Sequence, residues 1–183
     1  MERDIKQFKR WLMNEIEYAS YYSLDKTDHE RFTERVANML VENGQFDSFS
    51  DIFFEEGKVQ IDGYKIEEDS SKLHLFSSFY KGNKDISYLS KEEIIDRLEP
   101  ISNFIHDIDH KKVKDYESAG GAQDFISNLQ LFLPKLKRIN LHIFTDSKSK
   151  KFNWKGNSES YELTLNVWDL EGLNALDHSS SLD

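Results

Sequence analysis

Asp62 is an acidic side chain whose position in the sequence suggests chemistry. It lies in the segment VQIDGYKIE, whose apolar residues alternate as in a β-strand but change phase at Asp62 and Gly63. A glycine inside a strand, together with a phase slip, predicts a β-bulge. Bulges re-aim side chains and concentrate near active sites. The alternative is an edge-strand bulge that carries a solvated aspartate.

A basic segment between two predicted strands could bind nucleic acid. In DSKSKKFNWKGNSES the lysines are interleaved with aromatic rings. Cations together with stacking rings suit single-stranded nucleic acid. The alternative is an ordinary solvated hairpin loop whose tryptophan packs back onto the sheet. The candidate nucleic-acid-binding residues are Lys148, Lys150, Lys151, Trp154 and Lys155.

The histidines offer a further candidate site. His106 and His110 are four residues apart, so a helix would place them on one face, where they could bind zinc or another metal. No third ligand follows at a telling spacing, which favours solvated histidines at a helix end. His29 is interpreted as a solvated first-turn residue. His74 and His142 alternate with apolar residues, as core or sheet-surface histidines of strands do.

Hydrophobic periodicity predicts the helices that must position these residues. Apolar residues recur at helical spacing in four segments. TDHE and SKEE are capping boxes that start the second and third helices. Gly44 and Pro134 are expected to end helices, and Pro100 to kink or divide one. The predicted helices are 3–24, 27–43, one beginning after Ser90, and 122–133.

Strand-like alternation predicts five strands and an α/β fold. The segment 73–80 is largely apolar or aromatic on both faces, which predicts a central strand covered on both sides. The order of elements predicts a mixed central sheet of about five strands flanked by helices. A short helix is predicted after Asp169. The predicted strands are 49–54, 59–67, 73–80, 138–145 and 161–168.

The chain is expected to form one α/β domain with short additions. We predict an N-terminal helix over residues 1–26 and the α/β domain over residues 27–173. Residues 174–183 include DHSSSLD, which has no periodicity and predicts a disordered or truncated tail.

Composition excludes several classes of function. The chain has no cysteine, which excludes disulfides, thiolate zinc sites and thiol catalysis. Glycine-rich phosphate loops and a GxSxG nucleophile motif are absent. No apolar run is long enough to span a membrane, and the N-terminus lacks the apolar core of a secretion signal, so we expect a cytoplasmic setting. The net charge of −10 requires any nucleic-acid site to be a local basic patch.

Four segments together resemble the N-terminal region of the abortive-infection phage-resistance (AIPR) family. They are RFTERVANMLVENGQFD, VQIDGYKIEEDSSKLHLFSSFY, RINLHIFTD and YELTLNVWDLEGL. Family members share F-T-E on a helix, an I-D-G-Y or I-D-A strand, an L-x-L-F strand, an I-x-x-x-T-D strand and a closing V/I-W-D. The resemblance extends from about Phe32 to Leu173. It implies a bacterial or archaeal defence protein with a nuclease-like N-terminal domain and a larger C-terminal region.

The element order also resembles that of restriction-endonuclease-like, or PD-(D/E)xK, nucleases. These place an acid on the helix before a three-strand meander, an Asp on its second strand and an acidic-x-Lys triplet on its third. The resemblance implies that Glu34 and Asp62 bind Mg²⁺ through oxygen ligands. The triplet positions hold Phe76 and Ser78 instead. Phenylalanine offers no ligand atom and serine no charge at neutral pH, so we regard all four as vestigial catalytic positions.

These resemblances imply a catalytically degenerate nuclease-like domain of an anti-phage defence protein, acting in nucleic-acid or partner recognition. We expect the isolated chain to be inactive and to require no cofactor, with Mg²⁺ bound only weakly. The expected partners are DNA or RNA, a second copy, or the C-terminal region of the same defence protein. Two alternatives stay open. One is an active Mg²⁺-dependent DNA or RNA nuclease that recruits Glu67 or Glu68 to Asp62, and the other is a structural dimerisation module.

Overall fold

The chain begins with two helices that pack on one face of a central sheet. The computed structural model describes residues 4–110, 122–156, 158 and 160–180. Helix α1 spans Ile5–Ser20 and helix α2 spans Asp28–Glu42. The capping box predicted for α2 is confirmed, because the Thr27 hydroxyl accepts from the Glu30 N–H and the Glu30 carboxylate accepts from the Thr27 N–H.

Three antiparallel strands follow as a meander. They are β1 (Ser50–Glu56), β2 (Val59–Glu67) and β3 (Lys72–Phe79). The prediction that the third strand is central and covered on both faces is confirmed. Leu75 is buried on one face and Phe76 on the other.

Two helices form the connection from β3 to the next long strand. A two-residue strand, β4 (Tyr88–Leu89), comes first. Helix α3 (Lys91–Asp109) begins with the predicted capping box and continues through Pro100, so the proline does not divide it. Helix α4 (Gln123–Phe132) leads into a 3₁₀ turn that contains Pro134. The charged segment DHKKVKDYESAGG, which the sequence indicates to be a loop, lies mostly outside the described residues.

Two parallel strands complete the main sheet. Strand β5 (Arg138–Thr145) pairs parallel with β3, and β7 (Glu162–Trp168) pairs parallel with β5. The strand order is therefore β1-β2-β3-β5-β7. The short β6 (Lys148–Ser149) pairs with β4 in a separate two-stranded sheet. The predicted α/β fold with a mixed five-stranded sheet is confirmed.

The C-terminal helix begins directly after Asp169, where a short helix was predicted. Helix α5 spans Leu170–Ser180, so regular structure extends into the segment 174–183 that the sequence predicts to be a disordered or truncated tail. Leu173 is fully buried, which anchors the first turns of this helix against the rest of the fold. The short polar run near its end lacked the apolar spacing from which a helix could be predicted.

The sheet separates two hydrophobic cores. Helices α3 and α4 cover one face with side chains such as Ile94, Leu98 and Phe125. Helices α1, α2 and α5 cover the other face, where Phe76 and Phe144 of the sheet contribute to the core. Asp62 of β2 lies next to the first turn of α2, where His29 contacts it.

Candidate functional site

Strands β2 and β3 separate at Asp62, and the carboxylate of this residue bridges the gap. Backbone pairing between the strands runs from Lys72–Glu67 to Phe76–Gly63. At the next position the Oδ2 atom of Asp62 accepts the backbone N–H of Ser78 at 2.7 Å. The aspartate is only 2% exposed. It satisfies a backbone donor inside the fold, where an unpaired donor is costly.

The phase slip predicted in β2 is present in the structure. Val59 and Ile61 precede Asp62, and Tyr64 and Ile66 follow it with the opposite parity. All four nevertheless pack against the same core beneath α3 and α4. The strand therefore changes face at Asp62, which turns this carboxylate toward α2.

The extra residue that accompanies the slip lies in β1, not in β2. The register of β1 against β2 shifts between Asp51 and Phe54, opposite Asp62, and Phe53 has a φ of 45°. Gly63 allows β1 to approach closely, because a Cβ at this position would lie 2.9 Å from the Ser50 carbonyl oxygen. The bulge therefore lies beside the glycine that indicated it in the sequence. The extra residue, however, is in the partner strand β1.

The side chains that meet Asp62 come from α2 and from β2 itself. The His29 Nε2 atom lies 3.0 Å from Asp62 Oδ1, and the side-chain nitrogen of Gln60 lies 3.1 Å from the same His29 atom. The side chain of His29 is 30% exposed. The sequence indicated a solvated first-turn residue at His29, because the proximity of His29 to Asp62 depends on how α2 docks on the sheet.

Glu34 has a different partner from Asp62. The Lys26 ammonium donates to the Glu34 carboxylate at 2.6 Å, and the two side chains are about one-third and one-quarter exposed. Asp62 instead contacts His29 and the Ser78 amide. The metal-binding pair implied by the resemblance, Glu34 and Asp62, stays a prediction.

The two triplet positions are occupied by groups that belong to the core. Phe76 is 1% exposed, with its ring centroid 5.2 Å from that of Phe46 and 5.4 Å from that of Phe144. The Ser78 hydroxyl lies 2.7 Å from the Thr33 hydroxyl, and Ser78 is also 1% exposed. Neither side chain faces a space into which a substrate phosphate could enter.

An arginine stabilises the separated strands from the opposite face. Arg97 of α3 donates to the Ser77 hydroxyl at 2.8 Å and to the Ser78 carbonyl at 2.9 Å. Its guanidinium lies 3.8 Å from the centroid of the Phe79 ring. The Ser77 hydroxyl in turn donates to the Gln60 carbonyl. The gap between β2 and β3 is therefore closed by side chains on both faces.

Glu67 lies at the other end of β2 and belongs to a separate polar chain. Its carboxylate is 3.1 Å from His74 Nε2, and His74 Nδ1 is 2.8 Å from His142 Nε2. The Trp168 indole donates to His142 Nδ1 at 3.0 Å. The chain crosses β2, β3, β5 and β7. It gives Glu67 a structural partner five residues from Asp62, which does not support Glu67 as a replacement ligand there.

The direction of every bond in this chain follows from the tryptophan. An indole N–H can only donate, so His142 Nδ1 must accept. The proton of neutral His142 is then on Nε2 and is donated to His74 Nδ1. His74 therefore carries its proton on Nε2 and donates it to Glu67. Burial lowers the pKa of His142 to about 3 and also lowers the pKa of His74, which agrees with two neutral rings.

Acid is expected to destabilise the fold through this histidine pair. In the unfolded chain both rings bind protons below their ordinary pKa of about 6.5, whereas in the folded protein both pKa values are lower. The free energy of unfolding should therefore be fully retained above pH 6.5. It should decrease as the pH falls from 6.5 toward 3, by up to about 1.4 kcal/mol per pH unit for His142, and the lowered pKa of His74 adds a loss of the same sign. Urea unfolding between pH 7 and 4 measures this slope.

The matched comparison uses one buried and one exposed histidine. His142→Asn keeps an acceptor for Trp168 but does not titrate, so its slope should be shallower than that of the wild type. His106→Asn makes the same substitution at a residue exposed at the end of α3 and serves as the control. If the free energy of unfolding changed equally with pH in the wild type and both variants, buried His142 would not be a source of the acid destabilisation.

A buried ion pair lies at the end of β5. Lys9 of α1 and Asp146 are 1% and 0% exposed, and Lys9 Nζ lies 3.0 Å from Asp146 Oδ2. The Asp146 carboxylate also accepts the backbone N–H groups of Lys81 and Gly82 at 2.8 and 2.9 Å. This aspartate of the I-x-x-x-T-D segment thus joins α1, β5 and the loop after β3. Its role is structural.

The basic loop contains both exposed side chains and side chains that pack on the rest of the fold. Lys150, Lys151 and Lys155 are exposed, whereas Trp154 is half-buried and packs against the core beneath α3 and α4. Lys148 pairs with Glu171 at 2.8 Å. The tryptophan therefore does what the hairpin-loop alternative predicts, while three lysines remain directed to solvent. A cleft of about 700 Å³ opens beside the loop, between β7 and α5.

His106 and His110 are exposed at the end of α3, with ring centroids 4.0 Å apart. Within the described ranges, no three His, Cys, Asp or Glu side chains are arranged to hold a metal ion. The helices of these same ranges are all too short or too polar to cross a membrane.

Comparison with known proteins gives one match. The family model described as "Abortive infection phage resistance protein N-terminal domain" matches residues 32–174. The matched segment begins in α2 and ends in α5, so it contains the whole five-stranded sheet and the Asp62 region. No curated protein and no solved structure matches the chain.

Proposed function

Because the chain belongs to the family of abortive infection phage resistance protein N-terminal domains, we propose that it is a catalytically degenerate nuclease-like domain that acts in recognition. Membership of the family implies a role in abortive-infection phage defence. To this role we add a nuclease-like ancestry and a loss of catalysis. The single observation that carries the proposal is the burial of Phe76 and Ser78 at the triplet positions.

The sheet supports a relationship to restriction-endonuclease-like nucleases. Helix α2 precedes three antiparallel strands, a helical connection follows, and β5 then joins parallel to β3. This is the order that the sequence resemblance implies. Asp62 lies where β2 and β3 separate and turns toward α2, where such a nuclease would hold its metal-binding aspartate.

The residues around Asp62 do not supply the chemistry of phosphodiester hydrolysis. A Mg²⁺ centre of this kind needs several oxygen ligands, and a lysine helps to activate the attacking water. Phe76 provides no ligand, Ser78 provides no cation, and one Asp62 oxygen is bound by the Ser78 N–H. Loss of one positioned electrostatic group often lowers a rate by about 10²–10³-fold. Two such groups are replaced here.

The isolated chain is therefore expected to show no metal-dependent nuclease activity. The test incubates it with single- and double-stranded DNA and RNA in the presence of Mg²⁺ or Mn²⁺. Asp62→Ala and Glu34→Ala are the matched variants. Cleavage by the wild type that disappears in both variants would refute the proposal and establish the nuclease alternative. Cleavage that persists in both would come from a contaminating enzyme and leave the expected result in place.

Recognition is better supported at the basic loop than at Asp62. Lys150, Lys151 and Lys155 present three cations to solvent on a chain whose net charge is −10. Contacts between lysines and phosphates weaken steeply with salt. Titration of labelled DNA and RNA at several salt concentrations therefore tests this surface, with triple replacement of these lysines by glutamine as the variant. Molar mass in solution separates recognition from the dimerisation alternative.

A further inference from the structure

Strand β7 forms one edge of the main sheet and has the features of a strand that can pair further. Its register with β5 is unbroken from Glu162 to Trp168, and it contains no lysine or proline. Exposed edge strands are usually blunted by such residues or by a bulge. The opposite edge strand, β1, has a bulge between Asp51 and Phe54. Strand β7 therefore keeps a regular edge, whereas β1 does not.

The backbone of β7 directs alternate residues away from β5. The Glu162 N–H donates to the Lys137 carbonyl, so the even-numbered residues of β7 are those that bond to β5. The N–H and C=O groups of Leu165 and Val167 therefore point outward. In the described part of the chain, no loop, turn or side chain bonds these groups. They are available to the backbone of another extended strand.

A cleft of about 700 Å³ runs along this edge of β7. It is lined by the four consecutive residues 165–168, whereas successive side chains of a strand point to opposite faces of the sheet. A cleft that contacts consecutive residues of a strand therefore lies at the edge of the strand and not over one face.

The cleft has one wall on each face of the sheet. The loop 149–153 forms the first wall, and Phe152 of this loop packs on the core beneath α3 and α4. Helix α5 forms the second wall with Gly172 and Ala175, and its Leu173 packs on the opposite core. We call the edge of β7 between these two walls the β7 trough.

We propose that the β7 trough binds an extended peptide segment of a partner protein, which adds a sixth strand to the sheet. The backbone of the segment pairs with Leu165 and Val167, and its side chains alternate between the two walls. The cleft volume lies within the range of about 300–1,000 Å³ that is usual for ligand pockets. A second copy of the chain fits less well, because two walled troughs are both concave and their floors cannot meet.

The charges of the trough favour an acidic segment. Both side-chain oxygens of Asp169 accept backbone N–H groups, and Glu171 pairs with Lys148 at 2.8 Å. Lys151 lines the trough, is exposed and has no ion-pair partner among the described residues. The unpaired charge of the trough is therefore positive. We expect an acidic side chain of the segment opposite Lys151 and apolar side chains against Phe152.

This inference goes beyond the proposed function and does not depend on the loss of catalysis. The β7 trough shares only Lys151 with the three lysines that are tested for nucleic-acid binding. Nuclease activity would overturn the proposed function alone. Absence of peptide binding would overturn this inference alone.

The first measurement is amide hydrogen exchange of the full chain, followed by NMR. The N–H groups of Leu165 and Val167 should exchange more than about tenfold faster than those of Thr164 and Asn166, because exchange of a bonded amide requires local opening of the sheet. Equal protection of all four amides would show that the edge is already covered and would overturn the inference. A molar mass of two chains together with this protection would identify a second copy as the cover.

The second measurement uses a defined probe. Random 12-residue peptides displayed on phage are selected against the full chain, and the strongest binder is synthesised. We expect an acidic residue among alternating apolar residues in this peptide, and we expect its binding to slow exchange at Leu165 and Val167. The inference is overturned if no peptide is selected, or if the peptide leaves these two amides unchanged. It is also overturned if a DNA or RNA oligonucleotide protects them and the peptide does not.

Matched variants assign the binding to the trough. Ala175 is exposed on the α5 wall, so Ala175→Arg should fill the trough without disturbing the core and should abolish peptide binding. Gln130→Arg adds the same charge at an exposed position of α4 and should bind as the wild type does. Lys151→Gln should weaken binding by up to about fivefold, the usual contribution of an exposed ion pair. Wild-type affinity in a folded Ala175→Arg variant, as judged by circular dichroism, would overturn the inference.

Discussion

Replacement of Phe76 by alanine is expected to lower the free energy of unfolding by about 3–5 kcal/mol, the usual range for removing a buried aromatic ring. The residue lies on the central strand, and its ring centroid is 5.0 Å from that of His142 and 5.2 Å from that of Phe46. His142 lies on β5 and Phe46 lies between α2 and β1, so separate parts of the fold hold the two neighbours. Urea unfolding monitored by circular dichroism measures the change.

The matched control for Phe76 is an exposed aromatic residue. Tyr88 is 69% exposed on β4, and Tyr88→Ala should change the free energy of unfolding by no more than about 0.5 kcal/mol. A Phe76→Ala midpoint close to that of Tyr88→Ala would show that β3 is not the core strand described here. The same result would also remove the structural argument that position 76 is unavailable for catalysis.

Removal of the Asp146 carboxylate is expected to destabilise the protein by a similar amount. Breaking a buried ion pair by deleting one partner typically costs about 3–5 kcal/mol, because the other charge remains buried and uncompensated. In Asp146→Ala the buried ammonium of Lys9 retains, among the described residues, only the backbone carbonyl of residue 146. The N–H groups of Lys81 and Gly82 also lose their acceptor. Urea unfolding again gives the measurement.

A double-mutant cycle separates the ion pair from the other contacts of Asp146. The cycle combines Lys9→Met with Asp146→Asn. The double variant should be more stable than the sum of the two single effects predicts, since it leaves neither charge without a partner. Strictly additive effects would mean that Lys9 and Asp146 do not interact energetically, despite their 3.0 Å separation.

Local signals were sufficient to predict most of the elements. The capping boxes at Thr27 and Ser90 start α2 and α3 as expected, because each box satisfies backbone groups within one helical turn. The two-sided apolar pattern of β3 also predicted its central position correctly. Pro100 does not divide α3, because packing of α3 on the sheet maintains one continuous helix although a proline in a helix interior usually weakens it.

Contacts between distant segments could not be predicted in the same way. Lys9 and Asp146 are 137 residues apart, and nothing near either residue specifies the other. One signal was available, because Lys9 lies within the apolar stripe of α1 between Phe8 and Leu12. A lysine in such a stripe either extends its ammonium to water or finds a buried partner. Only the docking of α1 decides between these outcomes.

At the candidate site, too, features within one strand could be predicted from the sequence, whereas contacts between distant segments could not. The phase slip at Asp62 was readable because it alters the alternation of a single strand. His29 could not be assigned to it, because the approach of α2 brings the histidine from 33 residues away. The resemblance supplied Glu34 by its place on the helix, whereas the structure brings His29 of that helix into contact with Asp62. Nucleic-acid binding by Lys150, Lys151 and Lys155 of the basic loop remains a prediction.

Helix α1 lies outside the segment that matches the family, yet it packs as part of the folded domain. The family match begins at residue 32, yet Phe8, Leu12 and Ile16 are almost completely buried against α2 and α5. A fragment cut at the family boundary would expose that apolar surface and leave Asp146 without Lys9. The helix outside the matched segment is therefore part of the same cooperative structure as the sheet. The segment that matches the family is therefore shorter than the segment that folds cooperatively.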